Sequence, residues 1–222
     1  MDYTPFLVTF KLACLTTLIL FVIGIPIAYF IAFSKWRGKA ILESIMMLPI
    51  VLPPTVLGFY FIFFLGPNSG VGRFFDELFG HSLAFSFQGI LLGSVIYCLP
   101  FMLTPIINGF RSIPKNIIES TKLLNKSRIN ALWYVFIPFI KRSILSGVLL
   151  TFAHTIGEFG LVLMIGGKFP ETNVASVAIY DEMTAMNFDV VHRYALILLI
   201  ISFILIFLLN LLTRKTSRSD IA

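Results

Sequence analysis

Residues 78–110 contain no Lys, Arg, Asp or Glu. A helix needs roughly 20 apolar residues, at about 1.5 Å each, to cross a bilayer. Uncharged runs also occupy 12–34, 44–72 and 194–213, and from Ser143 to Gly167 only Glu158 interrupts another. In hydrocarbon the backbone must satisfy its own polar groups, so such runs become helices. A membrane β-barrel would show short alternating segments instead. The fold class that follows is all-α: one polytopic membrane domain over 1–222, with about five transmembrane helices. Their expected positions are 8–33, 43–65, 88–110, 141–165 and 193–213. Composition agrees, because 58% of the 222 residues are hydrophobic and only 13% charged. That balance excludes a soluble enzyme, a disordered chain and a secreted disulfide scaffold. Cys14 and Cys98 both lie in apolar runs and read as buried, reduced thiols without metal spacing. The first run is too long for a cleavable signal peptide and lacks a basic leader with a small-residue cleavage site.

Orientation follows from the basic residues. Lys35, Arg37 and Lys39 cluster in one loop. Arg111, Lys115, Lys122, Lys126, Arg128, Lys141 and Arg142 cluster in 111–142, and Arg214, Lys215 and Arg218 in the tail. The alternate loops, 66–87 and 166–192, are poor in bases and carry acids. Five spans with the basic segments inside give an outside N-terminus and a cytoplasmic C-terminus. The net charge of +6 therefore reads as cytoplasmic loops, with no nucleic-acid partner.

Two spans are interrupted. The second contains LPIVLPPTVLGF, with Pro49, Pro53 and Pro54 near its middle. Proline removes a helix donor and clashes with the preceding turn. Freed carbonyls in lipid must pack on protein or line a polar cavity. Pro53, Pro54 and Thr55 are therefore candidates for a translocation path, the plainer reading being a structural kink. The fourth carries Thr151, His154, Thr155, Gly157, Glu158 and Gly160. Gly157, Glu158 and Gly160 are candidates for a path or gate. A bare Glu158 would repel an anion. It reads better as a structural hydrogen-bonding or ion-pairing group, or as part of a gate near the outer surface. His154, one turn earlier, is a candidate partner for it. In the outer segment 166–192, Val174, Val177, Ala178 and Tyr180 suggest a short amphipathic helix, a cap on the bundle or a docking point for a partner.

The sizeable polar stretch on the inside is 112–138, SIPKNIIESTKLLNKSRINALWYVFIP. Ile117, Ile118, Thr121 and Leu124 recur at helical spacing. Asn116 and Glu119 are spaced like a capping box, and Glu119 near the helix start suits the dipole. Asn125 can take the left-handed conformation that ends a helix, and Ser127 can cap the next. The expectation is a short helix, a sharp turn and a second helix returning to the membrane. Periodicity alone allows either a lever moved by a cytoplasmic partner or an interfacial anchor.

These residues resemble the cytoplasmic EAA loop of permease subunits of ATP-binding-cassette importers. That pattern is Glu-Ala-Ala, three residues, Gly, nine residues, Ile, one residue, Leu-Pro. Glu119, Ser120, Thr121, Asn125, Val135, Ile137 and Pro138 fall at its spacing. Ser-Thr stands for Ala-Ala and Asn125 for Gly, and Asn tolerates the left-handed conformation next best. LPIVLPPTVLGFYFIFFLG at 48–66, GEFGLVLMIGG at 157–167 and AIYDEM at 178–183 resemble the molybdate-importer permeases in particular. Sulfate permeases have related segments.

The resemblance implies a type I importer permease fold, a homodimer with a pore at its axis, and a coupling helix in 112–138. It implies an ATPase partner docked through Glu119, Ser120, Thr121, Asn125 and Pro138, and an extracytoplasmic oxyanion-binding protein. No GxxxxGK[ST] phosphate loop is present. On this reading the chain is not an enzyme, binds no cofactor or metal, and relies on ATP-Mg held by the partner subunit. The expected function is ATP-driven import of molybdate or tungstate across a bacterial plasma membrane. The alternatives are a sulfate, thiosulfate or other solute permease of the class, and a membrane interaction protein without transport.

Overall fold

A computed structural model describes residues 2–80, 82–123, 127–167 and 169–214. Asn125, expected to set the turn of the polar segment, lies outside the described residues, as do Leu124, Lys126, His81 and Lys168. Among the described residues the chain is helical and has no strand.

Three helices are long and apolar enough to cross a membrane. They are α1 (Thr4–Phe33), α5 (Phe87–Arg111) and α12 (Phe188–Arg214). Counting each of two bent pairs as one span brings the number to five. The first is α2 (Lys39–Val51) with α3 (Pro54–Leu65), bent by 111°. The second joins the 129–139 segment to α9 (Lys141–Ile156), bent by 74°. The region expected as a single span over 43–65 is thus two helices. Each is about 20 Å long, short of a hydrocarbon core of roughly 30 Å. Likewise 141–165 divides into α9 and α10 (Gly160–Gly166). Between the long elements lie α4 (Gly70–Phe79), α6 (Lys115–Leu123), α7 (Arg128–Ala131), a π turn over Leu132–Phe136, α8 (Ile137–Phe139) and α11 (Ala175–Thr184).

The core is built on α1, α5 and α9. Leu12, Thr16, Leu20, Gly24 and Ala28 are all buried and recur every four residues, which draws one stripe down α1. The small residues in it let α5 come close: a Cβ on Gly24 would meet Met102 at 3.2 Å. Gly147 on α9 approaches the Met102 carbonyl in the same way, at 2.9 Å from its ideal Cβ. Cys98, Met102, Ile106 and Phe110 of α5 fill the centre. At one end Tyr29, Phe33, Phe110 and Phe136 form an aromatic cluster with centroids 5.0–6.4 Å apart. Glu43 and Arg111 pair at 2.6 Å at this end and tie α2 to α5. At the other end the Ala175 amide donates to Thr9 Oγ1 at 2.8 Å. There too Lys11 Nζ sits 4.3 Å from the centre of the Phe87 ring.

The periphery is apolar. On α12, Leu199, Phe203, Ile204 and Phe207 are exposed, and only 6% of its apolar window is buried. A soluble domain would not present such a face to water. Cys14 is exposed, contrary to the sequence expectation, because it lies off the buried α1 stripe; Cys98 is buried.

Candidate functional site

The polar segment folds as a helix, a turn and a second helix. The α6 ladder opens at the Pro114 carbonyl, which accepts from the Ile117 and Ile118 amides at 3.1 and 3.3 Å. Asn116 is therefore already inside the helix, with its Oδ1 on the Ile117 amide at 2.9 Å. No acidic residue lies in the first turn. The capping box and dipole role expected of Asn116 and Glu119 do not form, because the helix starts one residue before Asn116. Glu119 is exposed in the second turn.

Sidedness is clear. Ile117 and Ile118 pack on the core and Thr121 is buried, its hydroxyl donating to the Ile118 carbonyl at 2.7 Å. Glu119 and Ser120 face away, and Leu123 is 87% exposed. Sequence reasoning passed over Leu123, although an apolar residue off the buried stripe was the available clue. Ser127 caps α7 as expected, accepting from the Asn130 amide at 3.2 Å. The helix then widens: the Ile137 amide reaches back five residues to the Leu132 carbonyl. That π turn precedes Pro138, which has no amide proton and crowds the carbonyl four residues earlier. The 74° bend into α9 follows at Ile140.

The second candidate group lies at the two helix breaks. Leu52 and Pro53 are extended, with ψ of 136° and 135°. This backbone fits a residue followed by proline. Three of the six predicted residues meet across the α3–α10 seam. A Cβ on Gly160 would meet Pro54 Cβ at 3.2 Å and Thr55 Cγ2 at 3.4 Å. Gly58, not singled out from sequence, is closer still, with its ideal Cβ 2.6 Å from Met164 Cβ. Glu158 lies beside this seam in the three-residue gap between α9 and α10 and is 4% exposed. Pro53 and Gly157 are exposed at the edges of the two breaks.

The side-chain partner of Glu158 is Ser94, whose Oγ donates to Oε2 at 2.8 Å. It is not His154, whose ring stacks on Phe101 at 3.9 Å and has no hydrogen-bond partner on Nε2 among the described residues. The four-residue pairing rule assumes a continuous helix, and α9 ends at Ile156. The expected amphipathic helix is present as α11, with Val174, Val177 and Ala178 buried. Among the described residues no group of three His, Cys, Asp or Glu side chains could hold a metal.

A bundle with two broken spans, an apolar rim and a short helix held off one end defines the class: a multi-pass membrane permease subunit. The sequence pattern of binding-protein-dependent transport system inner membrane components matches residues 24–218, and the chain belongs to that family. It is 38% identical over 209 residues to the molybdenum transport system permease protein ModB of Azotobacter vinelandii, covering 94% of this chain and 92% of that one. It is 32% identical to a probable molybdenum ABC transporter permease protein of Haloferax volcanii, over 84% of this chain and 66% of that one. The sulfate transport system permease protein CysT of Synechocystis is 28% identical, over 92% and 72%. The fold matches a solved bacterial ABC transporter for import of the acidic polysaccharide alginate, with a TM-score of 0.77 at 17% identity over 96% of this chain and 78% of that one.

Proposed function

We propose that this chain is the membrane subunit of an ATP-driven importer that moves molybdate or tungstate by alternating access. The observation that carries the reading is α6, a short helix with one face packed on the bundle and Glu119, Ser120 and Leu123 presented outward. Such a helix suits docking by a separate ATPase subunit, which would bind ATP-Mg. Thr121 and Pro138 fix its placement, and Asn125 is the proposed turn residue. Similarity to molybdenum permeases over nearly the whole chain supports the substrate class. The 28% identity to a sulfate permease makes sulfate the second reading.

The working unit is a homodimer served by an extracytoplasmic oxyanion-binding protein. The N-terminus, α4 and α11 face outward, and α6 and the C-terminus face the cytoplasm. The bias of Lys and Arg toward 34–40, 111–142 and the tail supports this orientation. Trp36 and Trp133 are 57% and 59% exposed in the two basic internal segments, where indoles favour the membrane boundary. Pro53, Pro54, Thr55, Gly157, Glu158 and Gly160 mark the path or its gate. A tetrahedral dianion is held there weakly, by backbone amides at broken helix ends and by hydroxyls. Specificity then resides in the binding protein.

The test is ATP hydrolysis by the chain reconstituted with its ATPase and binding protein, with molybdate, tungstate or sulfate. Stimulation by molybdate or tungstate supports the reading. A response to sulfate alone keeps the importer and replaces the substrate. Failure to assemble with the ATPase removes the reading.

A further inference from the structure

Residue 158 is held from three sides, by none of the partners expected from sequence. Its own amide closes the end of α9 on the Thr155 carbonyl at 3.3 Å. Its side chain accepts from Ser94 of α5. Its main-chain carbonyl accepts from Ser176 Oγ of α11 at 2.6 Å. The other carboxyl oxygen, Oε1, is buried and has no hydrogen-bond partner among the described residues. The basic residues of α9, Lys141 and Arg142, are at its far end. Tyr97 and Cys98 follow Ser94 on α5 at three and four residues, on the same side of the helix, and Cys98 Sγ lies 3.3 Å from Thr155 Oγ1. One turn before the gap, His154 is engaged by the Phe101 and Tyr97 rings.

We infer that Ser94 and Ser176 are positioning residues that latch the break in the fourth span, with Glu158 serving them as a hydrogen-bonding group. A break of three residues has few contacts of its own, so it opens easily unless neighbours hold it. Ser94 fixes the side chain to the core helix, and Ser176 fixes the backbone to α11. Gly160, two residues on, is packed on Pro54 and Thr55. A displacement of α11 therefore reaches the seam between the two broken spans through one hydrogen bond. This inference rests on the permease reading for its functional sense, because α11 is then the outer helix available to a binding protein. Its structural content stands apart from that reading.

The experiment is amide hydrogen exchange of residues 157–160 in the full chain in lipid nanodiscs, without any partner. Ser94→Ala and Ser176→Ala each remove one hydroxyl and little volume. Each is expected to speed exchange there about fivefold, the effect of losing one net hydrogen bond. Glu158→Gln keeps a hydrogen-bonding side chain of the same size and is expected to leave protection unchanged, while Glu158→Ala loses it. Unchanged protection in both serine variants, or loss in Glu158→Gln equal to that in Glu158→Ala, overturns the latch. In the assembled transporter the serine variants are expected to raise hydrolysis in the absence of binding protein severalfold. A wild-type rate in both serine variants overturns the functional half. Failure of the wild-type chain to assemble would instead count against the permease reading.

Discussion

Gly160 faces Pro54 so closely that a Cβ on the glycine would stand 3.2 Å from the Pro54 Cβ. Proline has no flexible end to swing away. On the same seam Gly58 meets the Cβ of Met164, which is equally fixed. Gly58→Leu and Gly160→Val are therefore expected to lower stability by about 1–3 kcal/mol through overpacking. Gly70 has nothing within 4 Å of its ideal Cβ, so Gly70→Ala should fall within about 0.5 kcal/mol of wild type. Thermal unfolding of the three variants in one detergent checks the ranking.

The two faces of α6 predict two kinds of failure. Glu119 is exposed, so Glu119→Lys should leave unfolding within about 0.5 kcal/mol while abolishing co-purification with the ATPase. Thr121 is 7% exposed. Thr121→Lys puts a charge against the bundle and should destabilise by more than about 2 kcal/mol, losing the ATPase as a consequence. Paired pull-down and melting measurements separate the cases. Retained ATPase binding by Glu119→Lys would remove that face as the docking surface.

The contrast between these residues shows what the sequence made legible. Apolar runs located α1, α5 and α12, because length and hydropathy decide that alone. Adjacent prolines announced the break at Pro53, since their chemistry forbids a continuous ladder. The break at 157–159 holds Gly157, Glu158 and Phe159, each of which a helix tolerates, so one span or two pieces stayed undecided. The Ser94–Glu158 contact joins residues 64 apart in sequence. No local pattern distinguishes Ser94 from any other serine in an apolar helix. The α4 helix was overlooked for a different reason. Its loop was read only for charge, although Val71, Phe74 and Leu78 follow the capping residue Ser69 at helical spacing.

At the opposite end of the molecule from α6, the Tyr194 hydroxyl donates to the Asp2 carbonyl at 2.7 Å and joins α12 to the start of α1. The Asp2 side chain accepts from the Thr4 hydroxyl and amide at 2.6 and 2.9 Å. Those bonds, the hydroxyl first, hold its carboxyl below its ordinary value of 3.8. The turn is thus fully supported above that value and loses support as the pH falls through the lower folded value. Pepsin cleavage near Tyr3 and Phe6 should rise over that acid range. Asp2→Ala should be cleaved at the raised rate throughout, and Tyr194→Phe should loosen the same end by about 1 kcal/mol. A flat acid profile identical in Asp2→Ala and wild type would discount the turn.

The last expectation concerns transmission. Pro138 follows a π turn in which Ile137 bonds five residues back to Leu132. An alanine at 138 restores an amide that can bond four residues back, to Tyr134, and the widened turn can relax to ordinary α-helix. Removing that extra residue from the turn rotates everything before it by about 100° relative to α9 and shifts it by about 1.5 Å. The α6 helix would still be present and still able to dock, but it would be misaligned with the span it moves. Pro138→Ala is therefore expected to keep ATPase binding and hydrolysis while uptake per ATP falls about tenfold, a loss of roughly 1.4 kcal/mol in coupling. Stability should change by less than about 1 kcal/mol, because Pro138 is exposed. Oxyanion uptake and hydrolysis measured in the same proteoliposomes give the ratio directly. An unchanged ratio would make the π turn a packing feature of the bend and leave the 74° angle at Ile140 as the element that aligns α6 with the membrane.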